Sequence, residues 1–371
     1  MKYYIIAGEA SGDLHGSNLI RELKKLDGSA AIRCWGGDLM EQAGGHLAMH
    51  YRDLAFMGFA EVVMNLRTIL RNLKFCKEDI LQFKPDALIL IDYPGFNLRI
   101  AKWAKTQGLK VIYYISPQVW AWKENRVKQM KENIDKMIII IPFEKDYFKN
   151  KWNWEVEYVG HPLAEVIKKF KEARAISNVN DGTSKVVALL PGSRKQEIAK
   201  KLPIMLEVSK FFPGYQFIVA EAPSVEKEFY EDFTKQYSNV SAVKNQTYDL
   251  LSRARAAMVT SGTATLETAL FGVPEVVCYK GSLISYQIAK RVIKVKYISL
   301  VNLVMDKPIV KELIQNELTV DNLKNELNEL LTNTDRIAQI RKDYDALKNI
   351  LGKEGNASAN AARSIVDFLS K

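Results

Sequence analysis

Tyr3-Tyr-Ile-Ile-Ala7, followed at once by Gly8-Glu-Ala-Ser-Gly-Asp13, is the stretch of the chain that best indicates its fold. The apolar and aromatic residues predict a buried strand, and the small residues after them allow a tight turn into a helix. Short β-branched or aromatic runs alternate with amphipathic stretches along most of the sequence, which is typical of strand–helix units that form parallel sheets. The sequence therefore predicts an α/β protein.

At ~150 residues per domain, the 371 residues are enough for two domains. The most polar and turn-rich stretch, Ser177–Ser184, separates two series of predicted strands, as a linker would. We predict a first domain over residues 1–174, a linker over 175–184, a second domain over 185–350 and a C-terminal helix over 351–371. The predicted strands are Tyr3–Ala7, Ala31–Trp35, Ala87–Ile91, Val111–Ile115, Met137–Ile141 and Glu157–Val159, then Val186–Leu190, Gln216–Ala220, Ala256–Thr260 and Glu275–Cys278.

The formal net charge of +10 suits an anionic partner, which could be nucleic acid, phosphate or an acidic membrane surface. A nucleic-acid partner is disfavoured, because the sequence shows neither a long basic stripe with interleaved aromatics nor a known binding module. The three cysteines are far apart, which argues against a disulfide framework or a zinc site and fits a reducing cytoplasm. The longest apolar stretch, Met137–Phe143, is far below the ~20 residues that span a bilayer, so we expect any membrane contact to be peripheral.

Two acidic residues follow predicted strands, where functional groups gather in parallel sheets. Asp92 ends an apolar strand in Ile91-Asp-Tyr-Pro-Gly-Phe-Asn97, and partial burial there would raise its proton affinity toward that of a useful base. Glu9 lies in the turn after the first strand and is harder to explain as structure. Ser11 and Asp13 in the same turn are candidate contacts for the acceptor substrate, although either could simply cap the next helix. The turn Ile115–Trp122 contains Trp120, and such indoles either stack on sugars or belong to the core.

Two loops of the second half have the form of phosphate-binding loops, because each joins a predicted strand to a helix through small residues. Either loop alone could be simple helix capping, but both in one domain favour a nucleotide diphosphate site. Glu267, one turn inside the second helix, could accept ribose hydroxyls. No dinucleotide fingerprint, Walker A pattern or metal-ligand spacing accompanies them, so we expect neither cofactor nor metal. The loop residues are Gly192, Ser193 and Arg194, then Ser261, Gly262 and Thr263.

A basic helix face follows a nearly uncharged segment, Phe56–Met64. Arg67, Arg71 and Lys74 recur at steps of four and three residues, which places them along one side of a helix. The pattern fits either an ordinary surface helix or a membrane-apposed face beside a slot for acyl chains. In the second case Phe56, Met57 and Phe59 would contact acyl chains.

A set of short motifs, in order from Ala7 to Asn302, resembles the lipid-A-disaccharide synthase family, an inverting group classed as glycosyltransferase family 19. The motifs are Ala7-Gly-Glu-Ala-Ser-Gly-Asp13, Met57-Gly58, Ile91-Asp-Tyr-Pro94, Ser116-Pro-Gln-Val-Trp-Ala-Trp122, Pro142-Phe-Glu144, Gly160-His-Pro162, Leu190-Pro-Gly-Ser-Arg194, Ser261-Gly-Thr-Ala-Thr-Leu-Glu267 and Ser299-Leu-Val-Asn302. The resemblance implies a GT-B enzyme with two facing Rossmann-like domains. It would join UDP-2,3-diacylglucosamine to 2,3-diacylglucosamine 1-phosphate at the inner face of the cytoplasmic membrane, as a monomer or as a homo-oligomer.

The resemblance also implies residue roles. The family's general base falls on Asp92 and its N-terminal glutamate on Glu9, while Arg194, Glu267 and Asn302 match its donor-binding residues. Gly95 stands where other members carry a second acid, so any role of that acid in tuning the base is in doubt here. Two alternatives stay open: another UDP-sugar enzyme of the same fold, such as a UDP-N-acetylglucosamine 2-epimerase, and a non-catalytic protein that docks on anionic lipid or nucleic acid.

Overall fold

A computed structural model of the chain describes residues 1–54, 66–121, 123–174, 183–281 and 295–371. The chain forms two compact units. The first contains Met1–Pro162 and Glu354–Lys371, and the second contains Leu163–Lys353.

The first unit is built on a parallel sheet, whose described strands run in the order β3-β2-β1-β4-β5-β6-β7. The side chains of Tyr3–Ala7 and Ala87–Ile91 are at most 1 % exposed, so the central strands are covered on both faces, and this explains their unbroken apolar sequences. The strands are β1 (Lys2–Ala7), β2 (Ala31–Gly36), β3 (His46–His50), β4 (Ala87–Ile91), β5 (Lys110–Tyr114), β6 (Lys136–Ile139) and β7 (Glu157–Tyr158).

Helices connect these strands, and the last helix of the chain returns to the same unit. That helix, Ala357–Leu369, packs along Ala10–Leu26. Its Ser364 Oγ donates a 2.7 Å hydrogen bond to Glu157 Oε2, and Asn360 Nδ2 donates one of 3.2 Å to the Val159 carbonyl. The other described helices are Ala10–Leu26, Asp38–Gln42, Leu66–Phe83, Pro94–Thr106, Arg126–Asn133 and Phe143–Trp152, with a 3₁₀ turn at Tyr51–Leu54.

The second unit repeats the plan with a parallel sheet in the order β10-β9-β8-β11-β12-β13. Its strands are β8 (Val186–Leu190), β9 (Gln216–Glu221), β10 (Val240–Lys244), β11 (Ala256–Thr260), β12 (Glu275–Tyr279) and β13 (Lys311–Ile314). Its described helices are Pro162–Ala173, Lys195–Ser209, Lys227–Thr234, Thr247–Arg253, Thr263–Phe271, Leu300–Met305, Val320–Thr332 and Thr334–Gly352, with a 3₁₀ turn at Gln315–Glu317. Both sheets have the doubly wound strand order, which confirms the predicted α/β class.

The predicted strands are all present, and the three that were not predicted lie at sheet edges: β3 in the first sheet, β10 and β13 in the second. The units divide after Pro162 and after Lys353, whereas we predicted boundaries at residues 174 and 350. Of the predicted linker 175–184, residues 175–182 lie outside the described residues.

Candidate active site

The strand order of the first sheet reverses between β1 and β4, and Glu9 and Asp92 lie at this point. Ala7 pairs with Ile91 in the parallel register, so the two chains leave the sheet side by side. At such a switch point the helices that follow the two strands diverge and leave a crevice for ligands. The structure therefore brings the two predicted catalytic carboxyl groups together.

The backbone at Asp92 is held in an unusual conformation. Asp92 and Tyr93 have φ angles of 43° and 49°, in the left-handed region that non-glycine residues rarely adopt. The Asp92 carbonyl accepts hydrogen bonds from the Tyr113 hydroxyl and, at 2.8 Å, from Asn97 Nδ2. Asn97 also donates to the carbonyl of Ile6 on β1, at 3.4 Å. The Asn97 amide thus ties the two strand ends together and fixes the backbone at Asp92.

The environment of Asp92 suits a general base. Burial and, second, the negative charge of Glu9 raise the pKa of Asp92 to about 7, against a hydrogen bond from the Tyr93 amide that lowers it. A carboxyl group with such a pKa exchanges its proton near neutral pH. Glu9 itself is half-buried at the start of helix Ala10–Leu26 and makes no capping hydrogen bond to that helix.

Gly8 leaves room for the Tyr93 ring beside the backbone that follows β1. A Cβ atom at Gly8 would lie 2.4 Å from the Tyr93 ring, so the glycine lets the ring cover the backbone after β1. Tyr93 in turn stacks on Phe96, with ring centroids 5.8 Å apart.

Trp120 lies on the loop after β5 and meets a buried carboxyl group that we did not assign to the site. Its indole donates a 2.9 Å hydrogen bond to Glu144 Oε1. Glu144 is 1 % exposed, its burial raises its pKa to about 8, and the charge of Asp92 contributes to this shift. The sequence signal was the motif Pro142-Phe-Glu144 directly after β6.

The structure corrects one of the predicted acceptor contacts and places another on the surface. Asp13 is buried and accepts hydrogen bonds from the amides of Gly37 (2.8 Å), Met40 (3.0 Å) and Leu39 (3.2 Å). It thereby caps the helix Asp38–Gln42, so our expectation that it contacts the acceptor gives way to a structural role. Ser11 is exposed in the first turn of helix Ala10–Leu26.

The predicted membrane-contact residues divide in two. Arg67, Arg71 and Lys74 are exposed on helix Leu66–Phe83, and Leu70 beside them is 54 % exposed. Phe56, Met57 and Phe59 lie outside the described residues. Among the helices that the structure describes, none has the length and apolar character needed to cross a membrane.

The second sheet reverses its strand order between β8 and β11, and the two predicted phosphate loops leave these strands. Gly192 and Gly262 have φ angles of +126° and +147°, and a Cβ atom at Gly192 would lie 2.8 Å from Glu197 Oε2. Helices Lys195–Ser209 and Thr263–Phe271 begin directly after the loops. Their N-terminal amides and dipoles favour a bound anion at this edge.

The side chains of these loops differ in exposure. Ser193, Arg194 and Thr263 are exposed, and Arg194 Nη1 lies 3.5 Å from Glu197 Oε1. Ser261 Oγ donates a 2.8 Å hydrogen bond to the Ile298 carbonyl, which anchors its loop. The buried amine of Lys201, which we did not predict, lies 3.6 Å from the Cβ position at Gly192 and adds a cation beneath the first loop.

Glu267 is half-buried one turn inside helix Thr263–Phe271 and accepts a 3.1 Å hydrogen bond from the Tyr248 hydroxyl. Burial raises the pKa of Glu267, and the hydrogen bond from Tyr248 opposes the shift. Within the described ranges, no group of three His, Cys, Asp or Glu side chains could hold a metal ion.

Asn302 has a different role from the one we predicted. Its Oδ1 accepts from the amides of Ile309 (2.8 Å) and Val310 (3.0 Å), and its Nδ2 donates to the Val310 carbonyl (2.9 Å) and Glu312 Oε1 (3.0 Å). The side chain is 1 % exposed and uses all four of its hydrogen-bonding positions internally. We therefore revise Asn302 from a donor-binding residue to a support of the loop before β13.

Known proteins similar to this chain agree with the sequence motifs. A sequence profile described as lipid-A-disaccharide synthetase matches residues 3–366. The lipid-A-disaccharide synthase of Geobacter metallireducens is 37 % identical over 99 % of this chain and 97 % of its own length. That of Syntrophus aciditrophicus is 38 % identical over 97 % and 96 %.

Solved structures support the fold. The UDP-GlcNAc 2-epimerase of Neisseria meningitidis bound to UDP-GlcNAc has a TM-score of 0.66 at 14 % identity, covering 100 % of this chain and 99 % of its own. The calicheamicin glycosyltransferase CalG4 has a TM-score of 0.61 at 14 % identity, covering 100 % and 98 %. At this identity the likeness shows the two Rossmann-like sheets of the GT-B fold and nothing finer. The profile match and the curated relatives show that the chain belongs to the lipid-A-disaccharide synthase family of glycosyltransferases.

Proposed function

We propose that this chain transfers 2,3-diacylglucosamine from UDP-2,3-diacylglucosamine to 2,3-diacylglucosamine 1-phosphate. The products are the β-1,6-linked lipid A disaccharide 1-phosphate and UDP. The observation that carries this proposal is Asp92, a carboxyl group with a pKa of about 7 at the switch point of the first sheet, beside Glu9. A group of this kind is what the activation of a sugar hydroxyl requires at neutral pH.

The reaction is an inverting single displacement. Asp92 removes the proton from the 6-hydroxyl of the acceptor while that oxygen attacks C1 of the donor sugar. The bond between C1 and the β-phosphate oxygen breaks, and UDP leaves with the electron pair. Glu9 keeps Asp92 basic, because its negative charge raises the pKa of that carboxyl group. Glu9 thus supplies an acidic neighbour in a chain that has Gly95 at the position of the family's second acid.

The second unit would hold the donor. The loop amides of Gly192, Ser193, Gly262 and Thr263 and the two helix N-termini would meet the diphosphate, together with the guanidinium of Arg194. Glu267 would accept the ribose hydroxyls, and Ser261 would keep its loop in place. We propose that these groups stabilise the leaving UDP without a divalent metal ion, so that turnover persists in EDTA. Loss of all turnover in EDTA would contradict this part of the proposal.

We also propose that helix Leu66–Phe83 docks on the inner face of the cytoplasmic membrane. Arg67, Arg71 and Lys74 are exposed together with Leu70, so cationic and apolar side chains share one surface. Each basic residue near an acidic leaflet contributes about 1 kcal/mol, which gives reversible binding that salt weakens. Sedimentation with vesicles of anionic phospholipid at rising salt tests this, and binding that salt does not weaken would contradict it.

The deciding experiment measures UDP release with both acylated substrates beside the unacylated sugars. We expect release only with the acylated pair. Equal release with unacylated sugars would indicate another UDP-sugar transferase. Consumption of UDP-N-acetylglucosamine in the absence of any acceptor would instead indicate an epimerase.

A further inference from the structure

Glu144 is a buried carboxyl group at the carboxyl edge of the first sheet that the proposed mechanism does not use. It lies in the first turn of helix Phe143–Trp152, directly after β6, and is 1 % exposed. Strands β4, β5 and β6 are neighbours, so the loops that carry Asp92, Trp120 and Glu144 leave the sheet at one edge. A buried acid in that position needs a physical explanation.

The contacts of Glu144 fit a protonated acid. Oε1 accepts the hydrogen bond from the Trp120 indole. Oε2 is buried and, in the part of the chain that the structure describes, has no hydrogen-bond partner. Burial of the charged carboxylate is costly and outweighs the hydrogen bonds from the Trp120 indole and the backbone at Ile141, which favour the charged form. The neutral acid can place its proton on Oε2 and keep Oε1 as the acceptor for the indole.

The charges around Glu144 act in the same direction. Asp92 on the neighbouring loop disfavours a second negative charge at Glu144, and Asp92 itself faces Glu9. Other ionisable groups near this edge include Tyr113, whose hydroxyl donates to the Asp92 carbonyl, Arg126, whose charge acts on Tyr113, and Tyr93, on which the charge of Glu9 acts. Burial raises the pKa of Glu144 to about 8 and that of Asp92 to about 7, so both carboxyl groups hold their protons to a higher pH than exposed acids do.

Trp120 connects Glu144 to the surface. Its ring is half-exposed and meets Phe143 edge-on, with centroids 4.9 Å apart and an interplanar angle of 80°. Glu144 and Phe143 are adjacent in sequence and hold the indole through its N–H and its ring. The orientation of this indole therefore depends on the carboxyl group behind it.

We propose that Glu144 is a positioning residue for the transfer reaction, a neutral acid that fixes the Trp120 indole near Asp92 as a surface for the acceptor sugar. Its ionisation adds a negative charge beside Asp92 and opposes binding of an acceptor that carries a phosphate. This inference rests on the proposed function and adds a residue to it.

The first test does not depend on activity. Tryptophan fluorescence is recorded for the wild-type protein and for Trp120→Phe from pH 6 to 10, with substrates absent. The difference between the two emissions reports on Trp120. We expect the difference to change near pH 8, where the pKa of Glu144 lies, and to stay constant in Glu144→Gln. No transition in the wild type, or the same transition in Glu144→Gln, would overturn the proposal. These outcomes hold even if the wild type releases no UDP, which would instead overturn the proposed function.

The second test compares UDP release by three variants over the same pH range. Glu144→Gln keeps an acceptor for the indole and cannot ionise. Its rate of UDP release at pH 7 should stay within about threefold of the wild-type rate, and the decline of that rate above pH 8 should disappear. Glu144→Ala leaves the indole without its partner and should lower kcat/KM for the acceptor about tenfold, with UDP affinity unchanged. Asp146→Asn, an exposed carboxyl group on the same helix, is the matched control.

A purely structural role for Glu144 makes a different prediction. Glu144→Gln and Glu144→Ala would then lower the melting temperature and the activity in parallel, and the shape of the pH profile would not change. This result would overturn the proposal, as would equal activity of the two variants at pH 7. Since Glu144→Gln preserves size and hydrogen bonding, it remains informative if Glu144→Ala does not fold.

Discussion

The two sheets carry different groups at their switch points. In the first sheet, the loops after β1 and β4 carry carboxyl groups. In the second sheet, the loops after β8 and β11 carry glycines, hydroxyls and a guanidinium. The strand order around both points is the same. In the first unit, burial and the charge of Glu9 raise the pKa of Asp92 to about 7. In the second unit, Gly192 and Gly262 take positive φ angles that let the backbone turn into helix N-termini. In the proposed function, one topology thus carries a proton acceptor in one unit and an anion site in the other.

The largest expected effect is on catalysis at the first switch point, with UDP binding at the second left unchanged. Asp92→Asn removes the base and should lower kcat for UDP release by about 10²–10⁴-fold, the usual contribution of a positioned acid or base. UDP affinity should not change, because the proposed donor site lies in the second unit. An assay of UDP release measures kcat and titration calorimetry measures UDP affinity, with Asp146→Asn as the control variant. A variant that retains wild-type turnover would remove Asp92 from the mechanism.

The same substitution should change the pH dependence of stability. The pKa of Asp92 is about 7 in the folded protein against an ordinary value of 3.8, so folding favours the protonated acid. Its contribution is complete below about pH 4 and is lost as the pH rises to about 7. The stability of Asp92→Asn relative to wild type should therefore increase over this window by at most about 1.4 kcal/mol per pH unit and stay constant above it.

Urea unfolding at pH 4, 5.5, 7 and 8.5 checks this dependence, again beside Asp146→Asn. A difference between Asp92→Asn and wild type that is constant with pH would show that the carboxyl group titrates normally. The function of Asp92 as a base near neutral pH would then lose its physical support.

At the second switch point, Arg194→Ala should weaken UDP binding by about 10- to 100-fold, because charge-assisted hydrogen bonds to phosphate contribute ~1.5–3 kcal/mol. The affinity for UMP, which has one phosphate fewer, should fall by a smaller factor. Lys200→Ala removes an exposed charge from the same helix and should bind UDP normally. Equal losses for UDP and UMP would place Arg194 away from the diphosphate.

The sequence predicted the central strands, because a strand covered on both faces has a continuous apolar run that is easy to recognise. Of the four edge strands, β7 was predicted, whereas β3, β10 and β13 were not. His46–His50, Val240–Lys244 and Lys311–Ile314 have one neighbour each and are partly exposed, so polar residues interrupt their patterns. Their pairing depends on contacts with the adjacent strand, which a local pattern does not contain.

Local sequence also failed to predict the contacts of single side chains in the site. Asp13 was expected at the acceptor because it lies in the first motif, but its partners, Gly37 and Met40, come from a later helix. Glu144 was not assigned to the site because its partner, the Trp120 indole, comes from another loop. Local sequence identified the residue types that carry chemistry, and long-range contacts decide which of them are available to a ligand.

Asn302 tests this distinction in the second unit. Asn302→Ala removes the side-chain partners of the Val310 amide and carbonyl and one of the two acceptors of the Ile309 amide, whose other acceptor is the Lys307 carbonyl. It should therefore lower the free energy of unfolding by about 1–3 kcal/mol. UDP affinity, measured where the variant is folded, should stay within about threefold of wild type, because no polar atom of this side chain is left for the donor. Urea unfolding and UDP calorimetry on the same preparation separate the two roles. A large loss of UDP affinity with unchanged stability would return Asn302 to the donor site, and the anion site of the second unit would then include a side-chain amide as well as Arg194 and the helix N-termini.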